Sequence, residues 1–261
     1  MARIHLFEIE DQSWCPSVIR ETTTDFLFGL FTLLSIYEPA YQKIAEVLDK
    51  TKTNTIVDCC SGTGGPIPKL REYLDQNNHQ DVTITLTDKY PNLNSFEKLQ
   101  NQYPGKITGL KNSFEATSLP SSIKGMRTFF SSFHHFTPDQ AQKILQNAVD
   151  NHMPIGIFES TQRHPIDFIR AILSPILMLF IMPFARRLTW RKFFFTYVLP
   201  IAPFVVMWDY IVSNLRTYSP KEMEGLISKL NAPGYHWEYG KLWSKKAKTD
   251  VVYLIGYPTE G

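Results

Sequence analysis

The residue types best suited to chemistry are concentrated in one run, Val57-Asp58-Cys59-Cys60-Ser61-Gly62-Thr63-Gly64-Gly65-Pro66. Glycines in such a run let a backbone turn sharply and approach a ligand with no Cβ in the way. Two phosphate-gripping loops are excluded by spacing. Ile67 stands where a G-x-G-x-x-G loop has its third glycine, and no Lys-Ser/Thr pair follows. Downstream come Asp88, Glu115, the pair His134-His135, Glu159 and Asp209. A carboxylate can accept from two donors at once, and an imidazole can take up a proton near neutral pH. Each also has a plainer reading: tight turn, helix cap, solvated glutamate, packed histidine. No His, Cys and Asp group has metal-ligand spacing, and two adjacent histidines on an extended segment point apart. No metal is expected.

The elements that must position these residues alternate in type. Pro16 to Leu48 reads as helix, divided near Pro39. From Thr53 the texture changes. NTIVDCC, VTITLTD, KITGL, MRTFFSS and PIGIFES read as five strands, with helices expected over Pro66 to Asp75, Asn92 to Asn101 and from Pro138, which Thr137 can cap. Strands alternating with helices imply a parallel sheet covered on both faces. Ser219-Pro220-Lys221-Glu222 opens another helix with a capping box. YHWEYGKLW and DVVYLIGY, joined by SKKAKT, then read as a hairpin.

Together these features resemble class I methyltransferases that use S-adenosylmethionine (SAM), in which the last two strands form such a hairpin. The run from Val57 is similar to their motif I. Asp58 matches its acid, Gly62 and Gly64 its last two glycines, and Cys60 stands where most members carry the first glycine. Asp88, thirty residues after Asp58, matches the acid that accepts both ribose hydroxyls. Glu115-Ala116-Thr117-Ser118-Leu119-Pro120 is similar to the segment that meets adenine, with Glu115 in place of the commoner Asp. Phe129 to Phe136 resembles the fourth-strand motif. The resemblance covers roughly 53–160 and, more loosely, the hairpin. It implies a Rossmann-like α/β fold with a seven-stranded, mostly parallel sheet, and SAM held by Asp58, Cys60, Ser61, Gly62, Gly64, Asp88, Lys89, Glu115, Ala116 and Ser132. S-adenosylhomocysteine would be the product. His134 and His135, at a strand's carboxyl end, are the candidate bases. Glu159 would touch substrate or orient a loop. Trp208 and Asp209 would orient a substrate, unless Asp209 pairs with a nearby arginine.

The expected organisation is an N-terminal helical cover over 1–52, a SAM-binding domain over 53–163 and 219–261, and a helical insertion over 164–218. From Phe168 to Trp208 there is no Asp or Glu, yet the stretch holds Arg170, Arg186, Arg187, Arg191 and Lys192. Two apolar runs within it, interrupted by Pro175, Pro183, Pro200 and Pro203, fit a substrate cap, a membrane-surface hairpin or a spanning pair. An exposed apolar hairpin could also join two copies as a homodimer. A small, hydrophobic methyl acceptor is the expected partner. A net charge of +2 gives no signal for nucleic acid. Three cysteines give no disulfide framework, and MARIHLFEIEDQSW lacks the apolar core of a signal peptide, so a cytoplasmic setting is expected, peripheral to a membrane at most. A nicotinamide-dependent oxidoreductase and a non-catalytic membrane-associated relative are the competing readings.

Overall fold

Three short runs whose residues are buried almost without exception form the middle of a sheet: β1 (Thr55–Cys59), β4 (Met126–Phe130) and β5 (Ile155–Glu159). Such strands suit a sheet covered on both faces. In the computed structural model, which describes residues 2–184 and 188–259, they are flanked by β2 (Thr83–Thr87) and β3 (Ile107–Gly109) on one side. On the other lie β6 (Tyr235–Ser244) and β7 (Thr249–Pro258). The order is β3-β2-β1-β4-β5-β7-β6. β1 to β5 are mutually parallel, and β7 runs antiparallel to both β5 and β6. This is the expected seven-stranded α/β sheet with its terminal hairpin.

The chain divides into two compact units: Ser35–Ser160 with Ser219–Gly261, and Met1–Leu34 with Thr161–Tyr218. The sheet unit also holds α2 (Glu38–Thr51), α3 (Ile67–Gln76), α4 (Leu93–Gln102), α5 (Pro138–Asp150) and α9 (Pro220–Ile227). The expected capping box starts α9 at Ser219–Glu222, and Thr137, expected as a cap, forms a second box with Gln140 at the start of α5. α2 turns Tyr41, Ile44 and Leu48 inward, an amphipathic stripe that belongs with the sheet.

The other unit is helical, built from α1 (Ser17–Leu34), α6 (Pro165–Ile181), α7 (Trp190–Phe193) and α8 (Ile201–Arg216). Its core joins Ile19 and Phe26 of α1 to Met178 and Ile181 of α6 and to Ala202, Val205 and Val206 of α8. Arg186 and Arg187, two of the cations noted in the sequence, lie outside the described residues. Pro175 does not interrupt α6 as its type suggests. It removes the N–H that would reach the Ala171 carbonyl, but the Ser174 hydroxyl donates to that carbonyl at 2.7 Å instead. Pro200 behaves as expected and stands as the N-cap of α8, while Pro203 falls in the helix's first turn, where no donor is lost.

Ser174→Ala should therefore destabilise the chain by about 1–2 kcal/mol, because the Ala171 carbonyl loses its donor. Combined with Pro175→Ala, which restores the backbone N–H, most of that loss should disappear. Denaturant unfolding of the two single variants and the double variant measures the coupling. An equal loss in both backgrounds would contradict the compensation.

Candidate functional site

The parallel strands bring their carboxyl ends to one edge of the sheet, and the run after β1 turns there within a few residues. Cys60 (φ +56°), Gly62 (φ +54°), Gly64 (φ +92°) and Gly65 (φ +27°) all adopt left-handed backbone. Glycine does so freely. At Cys60 the side chain is carried through the turn, so the glycine missing from the motif is replaced without loss of the conformation. The turn is closed from outside by Asp88, just past β2. Its Oδ2 accepts the Gly62 N–H at 2.8 Å and its Oδ1 the Tyr90 N–H at 2.8 Å. Each carboxylate oxygen has a second acceptor site. A Cβ built on Gly62 would meet nothing within 4 Å, so the space above this part of the turn is open.

The turn is fixed from below by Asp58. Ser61 Oγ and Thr87 Oγ1 donate to the Asp58 carbonyl at 2.9 and 3.0 Å, and Ser61 N donates to the Thr87 carbonyl at 3.0 Å. The Asp58 carboxyl accepts from Thr128 Oγ1 at 2.9 Å. Burial pushes this carboxyl up to about 7, against the pull of the Ser61 and Thr128 hydrogen bonds. Burial also pushes the neighbouring Cys59 thiol up to about 12, which leaves it an inert core group.

Beside the turn, the Phe114 N–H donates to the Asp88 carbonyl at 3.0 Å and Ser113 Oγ to the Lys89 carbonyl at 2.7 Å. This lays Glu115 against Lys89, whose ammonium it meets at 2.8 Å with both side chains half exposed. The hydrogen bond that Lys89 donates to Glu115 raises the Lys89 pKa. Ala116 starts a 3-10 turn and is buried. The structure thus groups Asp58, Cys60, Ser61, Gly62, Gly64, Asp88, Lys89, Glu115 and Ala116 along the ends of β1, β2 and β3. Ser132 follows β4, and its Oγ is buried with no hydrogen-bond partner among the described residues.

His134 and His135 do not lie on an extended segment. They end a 3-10 turn, Phe133–His135, and their rings stack with centroids 4.4 Å apart. The expectation that the rings point apart is therefore corrected; the tight turn brings successive side chains to one side. His134 is buried and its Nδ1 lies 2.7 Å from Glu159 Oε2. Glu159 Oε1 accepts the N–H groups of Phe133 and His134 at 2.8 and 3.2 Å. Because a carboxylate only accepts, Nδ1 carries the hydrogen in this pair. Of the two roles expected for Glu159, its fully enclosed carboxylate supports the orienting one.

Thr87 and Thr128 escaped the sequence reading. Both hold Asp58, and the Tyr37 hydroxyl bonds to the Ser131 and Ser160 hydroxyls at the ends of β4 and β5. Parallel register brings these together, and no local pattern announces it. In the helical unit Asp209 accepts the Ile9 and Glu10 N–H groups at 2.6 and 3.2 Å. The pairing expected with an arginine is corrected: nearby Arg216 reaches Glu8 at 3.2 Å and Asp11 at 3.1 Å. Trp208 donates its Nε1–H to the Phe7 carbonyl at 3.1 Å.

No protein-family model and no curated protein sequence matches this chain. Solved structures do. The plantazolicin methyltransferase BpumL in complex with S-adenosylhomocysteine superposes with a TM-score of 0.52 at 11% identity, over 93% of this chain and 98% of that one. An O-methyltransferase family protein from Burkholderia thailandensis gives 0.49 at 13% identity, over 88% of this chain and 58% of its own. The O-methyltransferase NcsB1 from neocarzinostatin biosynthesis, complexed with SAM and 2-hydroxy-5-methyl naphthoic acid, gives 0.46 at 16%, over 82% and 52%. The chain thus spans little more than half the length of these last two. The fold is that of class I SAM-dependent methyltransferases. Among its solved representatives, the plantazolicin enzyme matches this chain along nearly its whole length.

Asp58 gives a test of the site's electrostatics. Its folded pKa of about 7 lies above the ordinary 3.8. The folded state therefore holds more protons between those values, and stability falls as pH rises through them, by up to about 4 kcal/mol from this group. Burial likewise lifts Asp209 to about 7. Unfolding free energies measured from pH 4 to 8 should decline, and Asp58→Asn should flatten the decline while keeping the oxygen that faces Thr128. An unchanged slope in the folded variant would contradict the assignment.

Proposed function

We propose that this protein transfers a methyl group from SAM to a small or lipophilic acceptor. The observation that carries the reading is the left-handed turn after β1 clasped by the Asp88 carboxylate, in a sheet of this strand order. The residues fit an adenosyl ligand. The turn is open above Gly62, Asp88 keeps acceptor capacity beyond its two amides, and Lys89, Glu115 and Ala116 stand beside it. SAM, when bound, supplies the electrophilic methyl. The chain's own task is then to hold the cofactor, align the acceptor and remove its proton.

In this reading Asp88 accepts from ribose hydroxyls while it fixes the Gly62 amide. Ala116 and Glu115 meet the adenine, for which Glu115 must share its carboxylate with Lys89. His134 takes the acceptor's proton, and Glu159 is a positioning residue that fixes the ring and stabilises the imidazolium that results. No metal is required. A nicotinamide-dependent oxidoreductase finds less support, because the loop lacks the third glycine and the sheet ends in an antiparallel hairpin.

Calorimetric titration with SAM, S-adenosylhomocysteine and NAD tests this. The two adenosyl ligands should bind and NAD should not. Asp88→Ala should weaken SAM binding by about 1.5–3 kcal/mol. His134→Gln should leave that affinity unchanged and lower transfer to any acceptor found by roughly 10²- to 10⁴-fold. A folded protein that binds neither adenosyl ligand would refute the proposal.

A further inference from the structure

Helix α6 is built inside out. Its enclosed side carries Asp167, Ala171 and Ser174 beside Met178 and Ile181. Ile169, Ile172, Leu173, Ile176 and Phe180 recur at helical spacing on the side that faces outward, with Ile172 59% and Phe180 70% exposed. The drive to remove apolar surface from water produces the opposite arrangement in a helix bathed on one face by water. The pattern continues past the helix. Phe184 is 90% and Trp190 73% exposed, and Ile201, Phe204 and Trp208 form a second exposed stripe on α8. An apolar surface of this extent marks an interaction site.

We propose that the outward faces of α6, α7 and the first half of α8 dock in the plane of an anionic lipid bilayer. Charge selects this occupant. Residues 168–208 contain five cations and no carboxylate. Arg170 pairs with Asp167 and Lys192 with Asp25, so among the described residues it is the exposed Arg191 that complements anionic head groups. A second copy of the chain is a poorer fit, because a two-fold contact brings the same cation-bearing stretch of two copies together with no carboxylate of that stretch to answer it. Among the described residues the Arg191 guanidinium lies 5.6 Å over the Trp190 ring, an aromatic and a cation side by side as the head-group level requires. The contact is along the surface. No single helix among the described residues is long and apolar enough to cross a membrane, and the pair Trp190–Val198 and Ile201–Arg216, which reaches that length and apolarity only when taken together, is bent by 74°. α6, at 17 residues, is about 25 Å long, short of the roughly 30 Å of a hydrocarbon core.

The proposal stands apart from the methyl-transfer reading and is tested without SAM. The full chain is floated with vesicles of phosphatidylcholine alone or mixed with phosphatidylglycerol, at low salt and at ~0.5 M salt. It should float with the mixed vesicles, more weakly with the neutral ones, and less at high salt. The triple variant Ile172→Ser, Ile176→Ser, Phe180→Ser should lower the partition coefficient by roughly 100-fold. Arg191→Gln alone, an exposed position that leaves the core untouched, should lower it by about 5-fold. Wild-type protein left at the bottom with both vesicle types would overturn the proposal. So would equal flotation with neutral and mixed vesicles that Arg191→Gln does not change. A dimer in light scattering that the triple variant converts to monomer, without flotation, would assign the face to a second copy and overturn it as well.

Discussion

A parallel sheet delivers every strand to the same edge, so whatever the chain does chemically must be done where it turns back. At that edge β1 gives way to α3 through four left-handed residues, and the turn holds its shape because a carboxylate from the next strand takes the Gly62 N–H at 2.8 Å. Asp88 thereby ties β2 to the loop of β1, and the Phe114 N–H on the Asp88 carbonyl ties the β3 loop to both. Three connections thus meet at one residue, with Ser61, Thr87 and Ser113 adding further hydrogen bonds between them.

Buried polar groups repeat the device elsewhere. Asp58 joins β1 to β4 through Thr128, and Glu159 joins β5 to the turn after β4 through two amides and an imidazole. Each accepts hydrogen bonds where it is enclosed, as a buried polar group must. The Tyr37 hydroxyl closes the set against Ser131 and Ser160. Strand ends that side chains would otherwise leave loose are thus held by hydrogen bonds that point along the same edge.

Much of this was legible in the sequence because it is local. Strand runs, glycine turns and the caps at Thr137 and Ser219 announce themselves within a few residues, and strand alternation yields the sheet. What depended on register was not legible. Nothing near Asp58 identifies Thr128 as its partner, and nothing near Asp209 says that its carboxylate serves the chain's own first residues. The histidine turn was misjudged because Phe129 to Phe136 reads as one extended run, whereas the strand ends at Phe130 and the chain coils. Pro175 was misjudged for a similar reason: its missing donor is supplied by the residue before it. In the helical unit the apolar pattern was visible, but which side faced water was not. Only the placement of Asp167, Ala171 and Ser174 inside shows that α6 is inverted.

The most direct test of the account is backbone hydrogen exchange with and without S-adenosylhomocysteine. The account predicts slower exchange in the turn after β1, around Asp88 and in the loop carrying Glu115 and Ala116, with α9 and β6 unchanged. Protection confined to α9 or β6, or no protection at any ligand concentration, would contradict it.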